Sequence, residues 1–426
     1  MRLFVIILSL LSYSILFTQT QYLHCGHLLD CKGDSPLSER TIIVKNNKIV
    51  DVRSGYVEVP DTAIAIDLKD SYVMPGIMDM HVHIEGQSSP NRYSEMFRMN
   101  PRDAALRATT YCKKTLMAGV TTVRDLGGSG VNVSLRNAIN AGYVDGPRIW
   151  TVEKSLATTG GHADPTNGVK DDLKHDPGPK DGVVNSIDDA YKAVRQRYKN
   201  GADCIKITAT GGVLSVAKDG MGPQFRTEVI KAVVDAANDY GFVTAAHAHG
   251  AEGMKRAVLG GIHSIEHGTF MTDEIMELMK ERGTYLVATI SAGMFAYEKA
   301  KENPRYFPPM VRKKALEVGP HIKDTFGRAY KAGVKIAFGT DTGVGPHGSN
   351  LKELQHMVEA GMPEYEAIKS GTVGSSTLLR ISDQYGTIEN GKMADIIAVK
   401  SNPLEDIKVM QNVSFVMKDG KVYKNN

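Results

Sequence analysis

The feature that most constrains this chain is a junction repeated through its middle, where a helix-like stretch stops at a glycine and an apolar strand follows. It occurs at Gly119 before Val120 to Val123, at Gly142 ahead of Arg148-Ile149-Trp150, and at Gly201 before Cys204-Ile205-Lys206-Ile207. It returns at Gly241 before Phe242-Val243-Thr244-Ala245, at Gly261 before Ile262, at Gly283 before Tyr285-Leu286-Val287, and at Gly333 before Val334-Lys335-Ile336. A glycine just past a helix takes the left-handed conformation that ends it. One unit can be followed from end to end. Ser186 is the expected N-cap with Asp189 three residues on, Asn200-Gly201 is the stop, and 203–208 is the strand. The junctions account for part of a glycine content of 42 in 426 residues, above the usual ~7%.

Seven junctions and a first strand over 73–83 give eight strands alternating with helices. That alternation implies a parallel sheet. Eight units across 71–375 match a (β/α)8 TIM barrel in size. An open doubly wound sheet is the alternative, but no phosphate-binding glycine fingerprint or switch-point site accompanies it. Both flanks are β-rich. Strands are expected at 41–44 and 48–52 around the turn Lys45-Asn46-Asn47, and at 394–399 and 413–418.

Charge and composition exclude several classes. The balance of 51 Lys+Arg against 48 Asp+Glu leaves a net charge of +3, no excess with which to neutralise a nucleic acid. An apolar content of 42% with 23% charged residues is that of a folded chain, not a disordered one. Met1 and Arg2 precede an apolar run from Leu3 to Phe17, too short and too polar for a membrane span. It reads as a secretory signal peptide over 1–20, with an uncleaved anchor as the alternative. No second run of spanning length follows, so the mature protein is expected without a stable membrane span, secreted or periplasmic. Export permits disulfides; Cys25 and Cys31 are close enough in sequence to pair across a turn, whereas Cys112 and Cys204 read as buried packing residues. Asn132 and Asn412 are glycosylation acceptors only on a eukaryotic secretory route.

In a barrel the active site lies at the C-terminal ends of the strands. The first strand ends Asp79-Met80-His81-Val82-His83, which puts His81 and His83 on one face. The fourth carries Lys206 between Ile205 and Ile207, so Lys206 points inward if the isoleucines meet the helices. A buried ammonium is costly. Lys206 therefore either pairs with an inward carboxylate or loses its charge and reacts with CO2 to form a carbamate. The fifth strand ends His247-Ala248-His249, the sixth Glu266-His267-Gly268 and the eighth Gly339-Thr340-Asp341. Four imidazoles (His81, His83, His247, His267), modified Lys206 and Asp341 form one ligand set for two divalent metals. Zinc is the default for such a set, with cobalt and manganese as alternatives.

These residues resemble the amidohydrolase superfamily with a binuclear metal centre. The resemblance rests on Pro75-Gly76-Ile77-Met78-Asp79-Met80-His81-Val82-His83, Lys206, His247, His267 and Gly339-Thr340-Asp341. It extends to the tail, Gly386-Thr387-Ile388-Glu389-Asn390-Gly391 through Asp395-Ile396 and Asn402-Pro403-Leu404. The branch it is most similar to is prolidase-like: Xaa-Pro dipeptidases and amidohydrolases that cleave N-acyl amino acids such as ochratoxin. The resemblance implies that 21–70 and 376–426 join into a small β-sandwich beside the barrel. It implies that His81, His83 and Asp341 hold the more buried metal, that His247 and His267 hold the second, and that N6-carboxylated Lys206 bridges them. A water between the metals is then acidified, and Asp341 acts as general base. His162, in Thr159-Gly160-Gly161-His162, resembles the branch's histidine that donates to the carbonyl oxygen; the alternative is a loop histidine with no role.

His249, two residues past His247, is expected to reach the same cavity and touch substrate. His263 reads as packing, His347 as a surface loop residue, and Arg124 with Asp125 as a structural ion pair below the metals. The glycine-rich loop 211–225 reads as a substrate lid, with its backbone or Arg226 available to a substrate carboxylate. The expected substrate is a small dipeptide or N-acyl amino acid, and the expected assembly a homo-oligomer. The competing functions are a cyclic amide hydrolase of the imidazolonepropionase or hydantoinase type, and an inactive metal-binding scaffold. Deamination is disfavoured because Lys206 is present.

Overall fold

A computed structural model describes residues 19–216 and 220–426. The expected signal segment falls almost wholly on 1–18, outside the described residues. Among the described residues no helix is long and apolar enough to cross a membrane.

The two chain ends build one seven-stranded sheet. It contains β1 (Gln21–Leu28), β2 (Leu37–Lys45), β3 (Lys48–Ser54) and β4 (Ile64–Pro75) from the N-terminal side. Its C-terminal strands are numbered below as β13 (Ile396–Val399), β14 (Phe415–Lys418) and β15 (Lys421–Asn425), in the order β15-β14-β13-β4-β1-β2-β3. The expected turn is a two-residue hairpin, Lys45 pairing with Lys48 and Asn46 left-handed at φ 58°. Asn tolerates that conformation better than most residues. The sheet closes on its own apolar cluster, which includes Leu23, Cys25, Ile42, Leu68, Ile396 and Phe415.

Between the ends run eight parallel strands: β5 (Ile77–Val82), β6 (Val120–Asp125), β7 (Arg148–Thr151), β8 (Cys204–Thr208), β9 (Val243–Ala248), β10 (Ser264–His267), β11 (Tyr285–Val287) and β12 (Lys335–Ile336). They form a three-stranded sheet, β5-β6-β7, and a five-stranded sheet, β12-β11-β10-β9-β8. Hydrogen bonds cross both gaps. Leu156 N–H donates to Lys206 O (2.7 Å) just beyond β7, and Asp341 N–H donates to His81 O (2.7 Å) just beyond β12. All seven expected junction glycines have positive φ, from 69° at Gly241 and Gly283 to 94° at Gly119. Ser186 caps its helix by accepting from Asp189 N–H (3.1 Å).

The single first strand expected over 73–83 is two strands. β4 ends at Pro75 in the terminal sheet, and β5 starts at Ile77 among the parallel strands. Gly76 makes the transfer because a Cβ there would lie 2.3 Å from Thr121 Oγ1 on β6. A second correction concerns Cys25 and Cys31. Both are free thiols buried in different apolar clusters, Cys25 in the terminal sheet and Cys31 against the helices over the parallel strands. Burial pushes both thiols up, Cys31 to about 12. Cys112 and Cys204 are buried packing residues, as expected.

Candidate metal centre

Alternation along β8 sends Ile205 and Ile207 into the cluster under the helices, while Cys204 packs inside with Leu126, Val152 and Ala245. Lys206 shares the inner face with Cys204 and is buried. Among the described residues it has no ion pair. Burial lowers its ammonium to about 8, against the opposing pull of the Glu266 and Asp341 carboxylates.

Around it the strand ends converge. His81 Nε2 and His83 Nε2 lie 3.6 Å and 3.3 Å from the same oxygen of Asp341, Oδ1. That oxygen is buried and accepts no hydrogen bond. The His267 ring stands 5.1 Å from His81 and 4.6 Å from His247. Ligand atoms of His81, His267 and Asp341 lie within 4.8 Å of one another, as do those of His247, His249 and His267. Asp341 and His267 both have left-handed backbones, φ 53° and 73°. Such conformations cost of order 1–3 kcal/mol each and cluster where function needs them.

One nitrogen of each proposed ligand histidine is already committed to the protein. His81 Nδ1–H donates to Glu266 Oε2 (2.9 Å) and His83 Nδ1–H to the Gly127 carbonyl (2.7 Å). His247 Nε2–H donates to the Gly211 carbonyl (2.9 Å), and His267 Nδ1 lies 2.6 Å from Thr289 Oγ1. The other nitrogen of each ring is left for the centre, the arrangement that orients histidine ligands of metals. Burial holds the imidazoles below their ordinary value, His83 at about 4 and His81, His247 and His267 well down. They are therefore neutral at pH 7, as ligands must be. Burial raises the Asp341 carboxyl to about 7, which Lys206 opposes. Neutral imidazoles with spare nitrogens around an unpartnered carboxylate oxygen fit a divalent cation of nitrogen and oxygen preference.

His162 stacks on His247 at 4.3 Å, with its Nδ1 buried and unpartnered. Gly212 makes room for it, because a Cβ there would lie 2.2–2.4 Å from the ring. His249 joins the cluster 4.9 Å from His267, its Nδ1 bonded to Thr269 Oγ1 (2.9 Å). His263 packs away from the site against Thr244 and Arg380. The loop 211–225 crosses the site: Gly211 supports His247, and Lys314 donates to the carbonyls of Gly212 and Ser215. Residues 217–219 of that loop lie outside the described residues.

Four expectations are corrected. Arg124 and Asp125 do not pair, because neighbours on a strand face opposite sides. Arg124 donates to Glu266 Oε1 (2.8 Å) inside, while Asp125 accepts from Ile84 N–H and the Asn132 amide. His347 is buried, stacked on Tyr111 at 4.5 Å and bonded to the Gly86 carbonyl. Arg226 turns to solvent, its side chain 82% exposed and 3.8 Å from Glu228. Asn132 is fully buried, its amide spent on Asp125 and Glu153, and offers nothing to a glycan.

Two further residues shape the centre, and no sequence motif marks them. Glu266 links His81 to Arg124 and also accepts from Ser264 Oγ (2.6 Å). Asp79 accepts from His81 N–H (3.1 Å), Thr340 Oγ1 (2.7 Å) and Asn350 Nδ2 (2.8 Å), tying β5 to the segment before Asp341. The parity of Glu266 with Ser264 on β10 was the available signal. It was obscured because His267, the next residue, was also placed inward.

The model of the amidohydrolase family matches residues 72–423. The ochratoxinase of Aspergillus niger is 32% identical over 424 residues, covering 94% of this chain and 86% of its own. Its crystal structure superposes with a TM-score of 0.81 at 30% identity, over 96% of each chain. A Xaa-Pro dipeptidase solved with methionine bound in its active site is 53% identical, with a TM-score of 0.93, covering 96% of this chain and 100% of its own. A prolidase complexed with N-methylphosphonate-L-proline is 30% identical with a TM-score of 0.87, over 96% of this chain and 100% of its own.

Proposed function

The chain belongs to the amidohydrolase family, and from that premise we propose that it cleaves dipeptides of the Xaa-Pro type or N-acyl amino acids at a pair of divalent metals. That it is a hydrolase of amide or peptide bonds follows from the family and its prolidase and ochratoxinase relatives. The observation that carries the finer reading is the spare nitrogen on each of four histidines beside the unpartnered Asp341 Oδ1, in two adjoining groups, His81, His267 and Asp341 with His83 alongside, and His247, His249 and His267.

His81, His83 and Asp341 would hold one metal and His247 and His267 the other, with Lys206 as a carbamate between them. When bound, the metals supply an acidified water and a polarised amide carbonyl. The Asp341 carboxylate would take the proton of the attacking water and deliver it to the leaving nitrogen. A carboxylate can accept that proton and return it, as a general base that then acts as general acid. His162 donates to the carbonyl oxygen as charge develops there. His249 borders the substrate. The hydrogen bonds across both sheet gaps support a closed (β/α)8 barrel beside a sandwich of the chain ends. Export through the segment 1–20 and a homo-oligomeric state complete the proposal.

The test is a hydrolysis screen of zinc-loaded protein against dipeptides varied at the C-terminal residue, N-acyl amino acids and cyclic amides. Turnover of Xaa-Pro dipeptides or N-acyl amino acids is expected. Turnover confined to cyclic amides overturns the substrate class, and no turnover of any amide favours a scaffold.

A further inference from the structure

Thr289 lies at the N-cap position of the helix Ile290–Glu302, just past β11. A threonine there ordinarily accepts from a backbone N–H of the first turn. Thr289 does not. Its backbone is left-handed (φ 51°), it makes no capping bond, and its hydroxyl lies 2.6 Å from His267 Nδ1.

The cap comes from elsewhere. Glu353, on the helix Lys352–Glu359, accepts from Ile290 N–H at Oε1 (2.7 Å) and from Ser291 N–H at Oε2 (2.6 Å). Thr289 and Glu353 are both buried, 0% and 1% exposed. A carboxylate with both oxygens at a helix N-terminus satisfies donors that no intrahelical carbonyl can reach, and meets the positive end of the helix dipole. Without it those buried N–H groups lack an acceptor, and the first turn of the helix, which starts at Thr289, loses the contact that fixes it. A shift of that turn carries the Thr289 hydroxyl away from His267.

We infer that Glu353 is a positioning residue for His267. By capping the helix, it fixes the turn that starts at Thr289, whose hydroxyl meets His267 Nδ1 and so directs Nε2 at the centre. The inference rests on the proposal that His267 holds a metal. Glu353 touches neither substrate nor the reacting atoms.

The test is a cobalt titration of metal-stripped protein, followed by affinity and by the visible ligand-field spectrum. It compares wild type with Glu353→Ala, Glu353→Gln, Thr289→Val and the double variant Glu353→Ala/Thr289→Val. Wild type should fill two sites. Thr289→Val should weaken one of them by about 10–100-fold, the usual effect of losing a histidine's outer partner, and change its spectrum. Glu353→Ala should weaken the same site with the same spectral change. Glu353→Gln, which keeps one acceptor oxygen, should fall between. The double variant should be no weaker than the worse single variant, because both act through one bond. If Glu353→Ala does not fold, the Gln variant and its pairing with Thr289→Val carry the comparison. Glu353 variants that titrate like wild type, or losses that multiply in the double variant, overturn the inference alone. A wild-type protein that binds no cobalt overturns the metal reading and this inference with it.

Discussion

The two halves of the candidate centre are held in different ways. On the β5 side, His81 is held by neighbouring strands, Asp341 by the His81 backbone, and His83 by the loop carbonyl at Gly127. Backbone bonds join His81 to Asp341, Asp79 ties β5 to Thr340, and Glu266 links His81 to buried Arg124. On the β9–β10 side, His247 leans on a loop carbonyl at Gly211, His249 on Thr269, and His267 on Thr289 at the start of a helix. Strand-borne partners move only if the sheet moves, whereas loops and helix ends open at far lower cost. With His81 and Asp341 joined through the strands, the β5 side is expected to be the more rigid half. The β9–β10 side is coupled to the loop 211–225 and to the helix that follows β11.

The largest expected effect abolishes the contrast. Lys206→Ala removes the proposed bridge and should lose metal from both halves, with amide hydrolysis down at least about a thousandfold. Metal content by mass spectrometry beside turnover checks this; a variant with both metals and full activity would sink the bridging role. Next comes the support that β10 gives to His81. Glu266→Ala strands the Arg124 guanidinium, which is buried with side-chain exposure of 1%. Breaking such a pair costs about 3–5 kcal/mol, read as lost stability in denaturant unfolding. The same substitution in a responsive half would act on affinity more than on stability.

The β9–β10 side is expected to respond in activity without melting. Gly212→Ala places a methyl into the His162 ring. Displacing a positioned donor costs on the order of a hundredfold in kcat, and metal content and thermal stability should stay near wild type. A large stability loss here would place the loop in the rigid half. The smallest effect concerns His347, packed on the loop after His83 and held by burial at about 4. Its folded value is depressed, so its contribution is present above the ordinary ~6.5 and is lost as pH falls towards 4. His347→Asn should lower Tm by about 2–4 °C at pH 7. The difference from wild type should shrink between pH 6.5 and 4. A constant difference across that window would show that the ring does not titrate.

Much of the centre was legible because its signals are local. Strand alternation placed Lys206 inward, the His-x-His pair closed the first strand, and each glycine stop marked where a strand would begin. What escaped depends on residues far apart. Arg124 finds Glu266 at a separation of 142 residues, and Asp79 finds Asn350 at 271. Adjacent Asp125 was the wrong partner, since alternation sends neighbours to opposite faces. Alternation itself fails at Glu266-His267, where a left-handed His267 brings two successive residues to one centre. Cys25 and Cys31 are near in sequence but belong to separate cores, a division made where the chain crosses from the terminal sheet at Gly76.

The sequence by itself determined the order of helices and strands and the identity of the six proposed metal-holding residues, because periodicity, glycine stops and strand-end chemistry act over a few residues. Only the tertiary structure decided which nitrogen of each histidine is spent on the protein, where Arg124 and Glu353 find their partners, and how each half of the centre is held. Those outcomes depend on burial and on the directions of hydrogen bonds between distant segments, and neither exists until the chain has closed on itself.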